Sequence, residues 1–340
     1  MKAVVIERPH HASWRDVDPP PVGPDDVLVE SREAGLCRTD IEMMTGVFTD
    51  PRWVHFPLIP GHEWSGTVVD RGEEVTSIST GDRVVCEGFI PCLRCPRCRA
   101  GQTQWCENIE ALGFTRPGGY AELVAVPERI VHRLPDHVSF DAGVLVEPAS
   151  VVLHALTKAR PVAGEAAGVI GVGTLGALAI ALLKLHSPGR IVAYGIRHEE
   201  LEFAMRLGAT DTVLVESGTT NSQSELDLVV ETAGAPSAVE LATQLLRPAG
   251  RAVLLGIAGE GRTLTLPSDI LVSKDIALIG SIAYPSTVWS RVVNLLADGV
   301  VDLDPIVTHR FPVKDFEEAV RLMDDRRGIV AKIVLEHGRS

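Results

Sequence analysis

The feature of this 340-residue chain that most restricts its fold is the alternation of short apolar strands and helices between residues 167 and 280. We predict strands at 168–171, 191–194, 212–215, 228–231, 252–256 and 276–280. Helices are predicted to begin near Leu175, Glu199, Ser237 and Ile270. Nearly continuous apolar strands joined by helices indicate a parallel sheet that is covered on both faces. Six such strands match the doubly wound α/β fold that binds dinucleotides.

A glycine pattern lies at the first strand–helix junction of this region. Gly171, Gly173 and Gly176 have the spacing G-x-G-x-x-G, follow an apolar strand and open an apolar helix. That is the context which the dinucleotide-binding fingerprint requires. The first glycine permits a tight turn, the second lets the backbone approach a pyrophosphate, and the third permits close helix packing. Thr174 and Leu175 belong to the helix N-terminus that would face the phosphates, so we predict that residues 171–176 bind the cofactor.

The residues at the end of the second predicted strand are expected to select between NAD and NADP. Enzymes that use NAD usually end this strand with Asp or Glu, which binds the ribose 2′-hydroxyl. Here that position is Gly195, which leaves room for a 2′-phosphate, and Arg197 supplies a forked donor for it. We predict NADP as the cofactor. NAD is the alternative, if Glu199 or Glu200 reaches the ribose.

The first 150 residues differ from this region because short apolar runs alternate with turns rich in Pro and Gly. The runs at 27–29, 66–69, 83–86 and 123–126 predict a β-rich part of the chain. Beyond the alternating region, residues 288–335 predict two helices and a final strand at 330–334.

Charge and hydropathy argue against two classes of partner. The formal net charge is -13, and an acidic surface repels phosphate backbones, so we expect no nucleic-acid partner. The uncharged stretch from Ala166 to Leu183 contains the glycine pattern and is interpreted as a buried strand and helix instead of a membrane span. The first apolar run is too short for a signal peptide. We expect a soluble, cytoplasmic protein with no membrane partner.

Four of the six cysteines cluster in a short stretch. Cys92, Cys95, Cys98 and Cys106 form the pattern C-x2-C-x2-C-x7-C. Such clustering in a chain without a secretory signal indicates metal binding instead of disulfides. Four thiolates predict a closed tetrahedral zinc site, which is structural because no position is open to substrate. The alternative is an iron–sulfur cluster, because ferredoxins also use C-x2-C-x2-C.

A second set of candidate metal ligands lies outside this cluster. Cys37, His62 and Glu147 supply a thiolate, an imidazole and a carboxylate, which together form the ligand set of an open catalytic zinc site. Their spacing alone is weak support, because an isolated cysteine is usually a small buried hydrophobic residue.

The motifs taken together resemble a known family. G-H-E-x-x-G at residues 61–66, the four-cysteine cluster and G-x-G-x-x-G, in this order, resemble the zinc-containing medium-chain dehydrogenases over nearly the whole chain. The resemblance implies a GroES-like β-rich catalytic domain formed by residues 1–150 and 285–340, with a structural zinc lobe at 91–107. It also implies a Rossmann domain inserted at 151–284 and an active site in the cleft between the domains.

The same resemblance assigns the catalytic zinc. Cys37 and His62 would be ligands, and Glu147 would be the third, as in polyol and sugar dehydrogenases, where alcohol dehydrogenases proper have a cysteine. Glu63 would either bind the zinc directly or contact one of its ligands, because such carboxylates can exchange with water in this family. Zinc lowers the pKa of an alcohol oxygen that it binds and polarises a carbonyl in the reverse reaction. With the structural site, two zinc ions per chain are expected.

Two further residues, Thr39 and Asp40, receive roles from the resemblance, and a third, Lys332, is a separate expectation. Thr39 would pass the proton of the alcohol towards solvent, and the alternative is a buried threonine bonded to local backbone. Asp40 would accept a hydrogen bond from His62 and fix its tautomer, or else act as the N-cap of a helix. Lys332, in the final predicted strand, is expected to contact the cofactor.

The activity implied by the resemblance is hydride transfer between a secondary alcohol and NAD(P). Glu147 indicates polyols, sugars or cyclitols, and the stretches 61–69, 106–108 and 112–115 are similar to dehydrogenases that oxidise an aminocyclitol, 2-deoxy-scyllo-inosamine. Gly195 and Arg197 resemble the matching residues of NADP-dependent bacterial secondary-alcohol dehydrogenases. Threonine or simple secondary-alcohol dehydrogenases remain alternatives, as does a non-catalytic zinc- and nucleotide-binding relative. The expected partners are a small alcohol or ketone and further copies of the chain, in a homodimer or homotetramer.

Overall fold

The computed structural model describes residues 1–216, 225–325 and 328–338. The chain divides into two compact units. The first comprises Met1–Glu147, Tyr284–Arg326 and Lys332–Ser340, and the second comprises Pro148–Ala283 and Arg327–Ala331. The division expected from the sequence placed residues 327–331 in the first domain. The second unit holds the described part of this segment because Arg197 donates to the Gly328 carbonyl at 3.0 Å.

The described residues form the following elements. The strands in chain order are β1 (Lys2–Arg8), β2 (His11–Asp16), β3 (Asp26–Leu36), β4 (Trp64–Arg71), β5 (Arg83–Cys86), β6 (Phe89–Ile90), β7 (Glu110–Ala111), β8 (Leu123–Pro127), β9 (Val131–Arg133), β10 (Ala166–Ile170), β11 (Arg190–Gly195), β12 (Asp211–Leu214), β13 (Leu226–Glu231), β14 (Leu246–Leu254), β15 (Ala277–Gly280), β16 (Val307–Pro312) and β17 (Lys332–Glu336). The helices are α1 (Arg38–Thr45), α2 (Pro96–Arg99), α3 (Phe140–Val144), α4 (Val146–Ala159), α5 (Thr174–Leu183), α6 (His198–Leu207), α7 (Pro236–Leu245), α8 (Asp269–Ser273), α9 (Ser286–Ala297) and α10 (Phe316–Asp325).

The second unit contains a parallel sheet whose described strands lie in the order β12-β11-β10-β13-β14-β15. The order reverses between β10 and β13, because β11 and β12 extend the sheet to one side and later strands extend it to the other. In doubly wound folds the ligand binds at the carboxyl ends of the two strands that flank this reversal. The predicted parallel α/β sheet is therefore confirmed.

The apolar stretch at the start of this unit is a buried strand and helix. β10 pairs with both β11 and β13, and eight of the ten residues of α5 are buried. A helix that is apolar on every side needs contacts on every side, and α5 packs on β10, β11, β13 and α6. In the described part of the chain, no helix is long and apolar enough to cross a membrane.

The first unit is built on a mainly antiparallel sheet in which the order of described strands is β16-β17-β3-β4-β5-β9, with β8 also paired to β3. β3 is the central strand and alternates buried and half-buried residues along most of its length. Trp64 of β4 and Leu36 of β3 are among the largest fully buried side chains of the described residues.

Register in this sheet positions the candidate site. The end of β3 pairs with the start of β4 at Ala34 and Trp64, and with β17 at Leu36 and Ile333. Cys37 follows β3 directly, His62 and Glu63 precede β4, and β17 begins at Lys332. Residues that are distant in sequence therefore meet at one end of the sheet.

Candidate active site

Three of the predicted ligands of the catalytic zinc lie together. One ligand atom each from Cys37, His62 and Glu63 lies within 4.8 Å of the others. His62 is 8% exposed and Glu63 is 2% exposed. Glu147 is outside this group of three, but it is near enough that the charges of His62 and Glu63 act on it.

The first turn of α1 places Asp40 next to the Nδ1 side of the His62 ring. Cys37 is the N-cap of α1, and Asp40 accepts a hydrogen bond from the Cys37 amide at 3.0 Å, so Asp40 itself is not the N-cap. Oδ1 of Asp40 lies 3.6 Å from Nδ1 of His62, and neither buried atom has a hydrogen-bond partner among the described residues. The Tyr120 hydroxyl lies 3.0 Å from the other Asp40 oxygen. Sequence reasoning missed Tyr120, because no spacing pattern joins it to α1.

The environment of His62 fits a bound cation. Burial by itself would lower the pKa of His62, but the charges of Cys37 and Asp40 outweigh burial and raise that pKa well above its usual value. With Nδ1 directed at Asp40, Nε2 is the ring nitrogen available to a metal. A thiol, an imidazole and a carboxylate at these separations fit a zinc ion.

Glu63 forms an ion pair with the buried side chain of Lys332. The Lys332 ammonium group contacts Oε2 of Glu63 and donates to the Leu36 carbonyl at 3.2 Å, and Lys332 is 1% exposed. Burial would lower the pKa of Lys332, but the charges of Glu63 and Cys37 raise it instead. The structure places this ammonium group against Glu63, and its expected contact with the cofactor stays a prediction.

Glu147, at the start of α4, is buried and has Tyr284 in its electrostatic environment. Burial and the charge of Glu147 raise the pKa of Tyr284 well above its usual value, and the Tyr284 hydroxyl accepts from the Gly88 amide at 3.0 Å. Burial raises the pKa of Glu147 to about 7, so a nearby positive charge would stabilise its carboxylate. Sequence reasoning did not identify Tyr284 either.

Thr39 is the second residue of α1 and is half-buried. Its Oγ1 lies 3.9 Å from the Cys37 sulfur. The hydroxyl is thus beside the candidate metal site, and its role in proton transfer stays a prediction.

The four cysteines of the predicted structural lobe also lie together. One sulfur from each of Cys92, Cys95, Cys98 and Cys106 lies within 4.8 Å of the others, and all six cysteines of the chain are free thiols. Backbone amides point at the sulfurs: Cys92 N donates to Cys106 at 3.2 Å, and Cys98 N donates to Cys95 at 3.5 Å.

The pKa values of this lobe indicate how it would hold a metal. Amides of Arg94 and Cys95 lower the pKa of Cys92 to about 6, whereas burial raises the pKa of Cys98 to about 12. Amide donors stabilise thiolates, and a divalent cation would offset the cost of burying the rest. The donor set fits a closed metal site.

The glycine fingerprint has the backbone that the pattern predicts. Gly171 has φ +88°, and a Cβ there would lie 3.1 Å from Ala233. A Cβ on Gly176 would meet the Gly171 carbonyl oxygen at 1.9 Å, which explains the need for glycine at the third position. Nothing lies within 4 Å of the place where a Cβ on Gly173 would be. The open side at Gly173 leaves room for a phosphate to approach the backbone.

The residues after the second glycine begin α5. Gly173 is the N-cap of α5, and Thr174 and Leu175 are its first two residues. The Thr174 hydroxyl donates to the Ala331 carbonyl, which ties the start of α5 to the segment before β17.

An ion pair between Arg197 and Glu200 lies just after β11. Arg197 donates from Nε and Nη2 to Oε1 of Glu200, at 3.0 and 2.6 Å. A Cβ on Gly195 would lie 3.3 Å from Oε2 of Glu200. The Glu200 carboxylate therefore lies beside Gly195, where an acidic residue at the strand end is expected in NAD-binding enzymes. Glu199 is exposed.

Comparison with known proteins agrees with this architecture. Residues 23–136 match the family model of the alcohol dehydrogenase GroES-like domain, and residues 140–335 match that of the glucose dehydrogenase C-terminus. The chain is 30% identical to L-threonine 3-dehydrogenase of Bacillus velezensis over 98% of both chains. It is 32% identical to the Klebsiella pneumoniae protein of the same name, over 98% of this chain and 99% of that one.

Two solved structures are similar along their whole length. A zinc-binding dehydrogenase from Sinorhizobium meliloti 1021 bound to NADP has a TM-score of 0.91 and 29% identity, covering 98% of both chains. Galactitol-1-phosphate dehydrogenase from Escherichia coli has a TM-score of 0.89 and 29% identity, covering 99% of this chain and 100% of that one. The predicted GroES-like and Rossmann folds are confirmed. The chain therefore belongs to the alcohol dehydrogenase family with a GroES-like domain, as a zinc-dependent medium-chain dehydrogenase linked to NAD(P).

Proposed function

We propose that this enzyme transfers a hydride between a secondary alcohol of a polyol, sugar or aminocyclitol and NAD(P), with NADP preferred. The observation that carries the proposal is the buried group of Cys37, His62 and Glu63, with the carboxyl of Glu147 beside it. A carboxylate as third ligand is the feature that indicates polyols. The galactitol-1-phosphate dehydrogenase similarity supports a polyol substrate.

Cys37, His62 and Glu147 would hold the catalytic zinc, and Cys92, Cys95, Cys98 and Cys106 would hold the structural zinc. When bound at the catalytic site, zinc acts as a Lewis acid on the oxygen of the alcohol or ketone. Cys37 and Glu147 would contribute two negative charges, which match the charge of one zinc ion.

The remaining residues of the site hold or move protons. Asp40, positioned by the Cys37 amide and Tyr120, would accept from Nδ1 of His62 and keep that proton in place. The half-buried Thr39 hydroxyl is a route by which the proton of the alcohol leaves. Lys332 neutralises Glu63, so this second carboxylate adds no net charge near the ligands.

The cofactor would bind at the carboxyl end of the parallel sheet, at residues 171–176. Gly173 leaves open space for the pyrophosphate, and Thr174 and Leu175 present the N-terminus of α5. Arg197 would bind the 2′-phosphate of NADP beside Gly195. Glu200 is the acceptor for the ribose of NAD in the alternative.

A second candidate is an L-threonine 3-dehydrogenase. It is favoured by curated relatives of that name at 30–32% identity over 98% of this chain. Threonine differs from polyols by its ammonium and carboxylate groups, which need charged partners in the substrate pocket.

An oxidation screen separates these candidates. Polyols, cyclitols, aminocyclitols, L-threonine and simple secondary alcohols are each offered with NADP and with NAD, and reduced nicotinamide is followed by its absorbance. We expect the highest kcat/KM with a polyol or cyclitol. His62→Ala is the matched blank, because it removes a zinc ligand in the first unit. Highest turnover with L-threonine would replace the main proposal by the second, and no turnover with any alcohol would indicate a non-catalytic relative.

We further propose a homodimer or homotetramer in the cytoplasm. β15 is the last strand of the parallel sheet, and near it Val272 and Ile282 are 84% and 50% exposed. A sheet edge with exposed apolar neighbours is a surface on which a second copy can pair. Free thiols suit a reducing compartment. Light scattering of the purified enzyme and fractionation of cells test the two statements.

A further inference from the structure

Glu231 is the last residue of β13, and its side chain is fully buried in the second unit. β13 lies next to β10, where the strand order reverses, so Glu231 ends one of the two strands that flank the cofactor crevice. Its Oε1 accepts from the amides of Ala233 and Gly234, both at 2.8 Å. The carboxylate therefore fixes the loop that follows β13, because another loop conformation would leave a buried charge without these donors.

The same residue also holds the loop that follows β14. The Glu231 carbonyl accepts from the Leu255 amide at 2.9 Å and from the Gly256 amide at 3.3 Å. A Cβ on Gly256 would lie 2.1 Å from the Gly234 nitrogen and 2.9 Å from Oε2 of Glu231. The loops after β13 and β14 are thus in direct contact, and Glu231 bonds to both of them.

This packing reaches the glycine fingerprint. The Thr232 hydroxyl lies 3.0 Å from the carbonyl oxygens of Ile170 and Gly171. A Cβ on Gly171 would lie 3.1 Å from Ala233. The loops after β10, β13 and β14 therefore pack side by side at the carboxyl end of the sheet, and Glu231 supplies hydrogen bonds to two of them.

Oε2 of Glu231 bears on why a glutamate is found at this position. This oxygen is buried and has no hydrogen-bond partner among the described residues. A buried carboxylate oxygen without a partner lowers the stability of a fold. Stability alone therefore does not favour a glutamate here, whereas a role in shaping the two loops does.

The place of the two loops indicates which part of the cofactor they serve. A doubly wound sheet binds a dinucleotide across the reversal, with one half on each side. The fingerprint after β10 and Gly195 at the end of β11 lie on the side of the adenosine half. The loops after β13 and β14 lie on the other side, which is the side of the nicotinamide half.

We propose that Glu231 is a positioning residue for the nicotinamide half of NAD(P), because its carboxylate and its carbonyl hold the loops after β13 and β14 in the arrangement that binds this half. The inference rests on the proposed placement of the cofactor at residues 171–176. Loops that are held in their binding conformation beforehand need not be ordered when the cofactor arrives, and this strengthens binding.

Calorimetric titration of the whole enzyme with NADP, NAD and adenosine 2′,5′-bisphosphate tests this role. Glu231→Ala should weaken NADP and NAD binding by about tenfold to a hundredfold, the range of a charge-assisted hydrogen bond. The physical reason is that affinity falls with the fraction of the protein in which the loops are ordered. Adenosine 2′,5′-bisphosphate lacks the nicotinamide half and should lose at most about twofold. Glu231→Gln keeps a side-chain oxygen for the two amides and should recover most of the lost affinity.

Asp227→Ala is the matched control, because Asp227 is also a buried carboxylate of β13 but lies near the amino end of the strand. Its Oδ2 accepts from the Ala166 amide at 2.8 Å, at the start of β10 and opposite the cofactor crevice. This variant should have a lower melting temperature and an unchanged affinity for all three ligands.

Three outcomes would overturn the positioning role. The first is unchanged binding of NADP and NAD in Glu231→Ala. The second is an equal loss of the dinucleotides and of adenosine 2′,5′-bisphosphate in that variant, and the third is a similar loss in Asp227→Ala, since both would reflect general destabilisation of the unit. If Glu231→Ala fails to fold, Gly256→Ala displaces the same loops and keeps the glutamate, and unchanged NADP binding there would overturn the proposal.

Gly173→Asp separates a failure of this inference from a failure of the cofactor placement. The space beside Gly173 is open, so the aspartate fits and puts a negative charge where the pyrophosphate would lie. All three ligands should bind more weakly to this variant. Unchanged binding would overturn the placement at residues 171–176, and the inference with it, whereas weaker binding together with an unaffected Glu231→Ala would overturn the inference alone.

Discussion

The choice between NADP and NAD should depend on a competition for the Arg197 side chain. Arg197 and Glu200 are 27% and 15% exposed, and two guanidinium nitrogens contact one carboxylate oxygen. To bind a 2′-phosphate, Arg197 must give up some of this pairing. The phosphate also meets a carboxylate that lies beside Gly195. The perturbation that tests this is Arg197→Ala, made in the parent and in Glu200→Gln.

The magnitude follows from the two interactions. A charge-assisted hydrogen bond to a phosphate is worth about 1.5–3 kcal/mol, and the partly exposed ion pair is taken at about 1 kcal/mol, the upper end for such pairs. In the parent the net contribution of Arg197 to NADP binding is therefore about 0.5–2 kcal/mol, or about two- to thirtyfold in affinity. In Glu200→Gln the competing charge is absent, and Arg197→Ala should cost about tenfold to a hundredfold.

The assay is calorimetric titration of four proteins with NADP and with NAD, which needs no knowledge of the alcohol. Glu200→Gln alone should strengthen NADP binding and weaken NAD binding, because it removes the repulsion of the phosphate and leaves the ribose only an uncharged, weaker acceptor. Arg197→Ala should leave NAD nearly unchanged in either background. Equal losses of both cofactors in Glu200→Gln would refute the competition, and NADP binding unaffected by Arg197→Ala in both backgrounds would refute the role of Arg197.

Three further predictions concern the metals, catalysis and stability. Metal analysis should find about two zinc ions per chain, and about one in a Cys95→Ser variant with lowered thermal stability, because one site is closed and the other open; iron or a single equivalent in the parent would contradict this. His62→Ala should lower turnover by about three orders of magnitude, since Lewis-acid catalysis is worth several kcal/mol, and calorimetry should show cofactor binding retained; near-normal turnover would show that His62 is misassigned. Burial and the Asp141 carboxyl raise the pKa of Glu33 from 4.5 to about 8, so the folded state binds the Glu33 proton more tightly than the unfolded state does. The free energy of unfolding should therefore fall as the pH rises from about 4.5 to about 8. Urea unfolding at several pH values should show that Glu33→Gln removes most of this fall. If the free energy of unfolding depends on pH in the same way in both proteins, Glu33 is not the cause.

Local pattern was sufficient for much of the fold. The strands and helices of the parallel sheet, the glycine fingerprint and the four-cysteine cluster each depend on residues close in sequence. Tight turns, helix N-termini and the spacing of metal ligands each depend on only a few consecutive residues, so the amino-acid sequence alone predicts them. The φ of +88° at Gly171 and the contact that a Cβ on Gly176 would make are direct consequences of such local constraints.

The partners of the site residues were decided by tertiary structure. Lys332 lies 269 positions after Glu63, and they meet because β17 and β4 both pair with β3 in a particular register. Tyr120 and Asp40, 80 positions apart, likewise meet only in the folded chain. An ion pair or buried hydrogen bond carries no periodicity, since any donor brought near an acceptor can form it. The sequence by itself therefore determined the fold class, the family and the candidate ligands. Only the tertiary structure decided which neighbouring residues hold those ligands. The physical reason is that an unpaired buried polar group is costly, and the register of the sheet selects the partner that pairs with it.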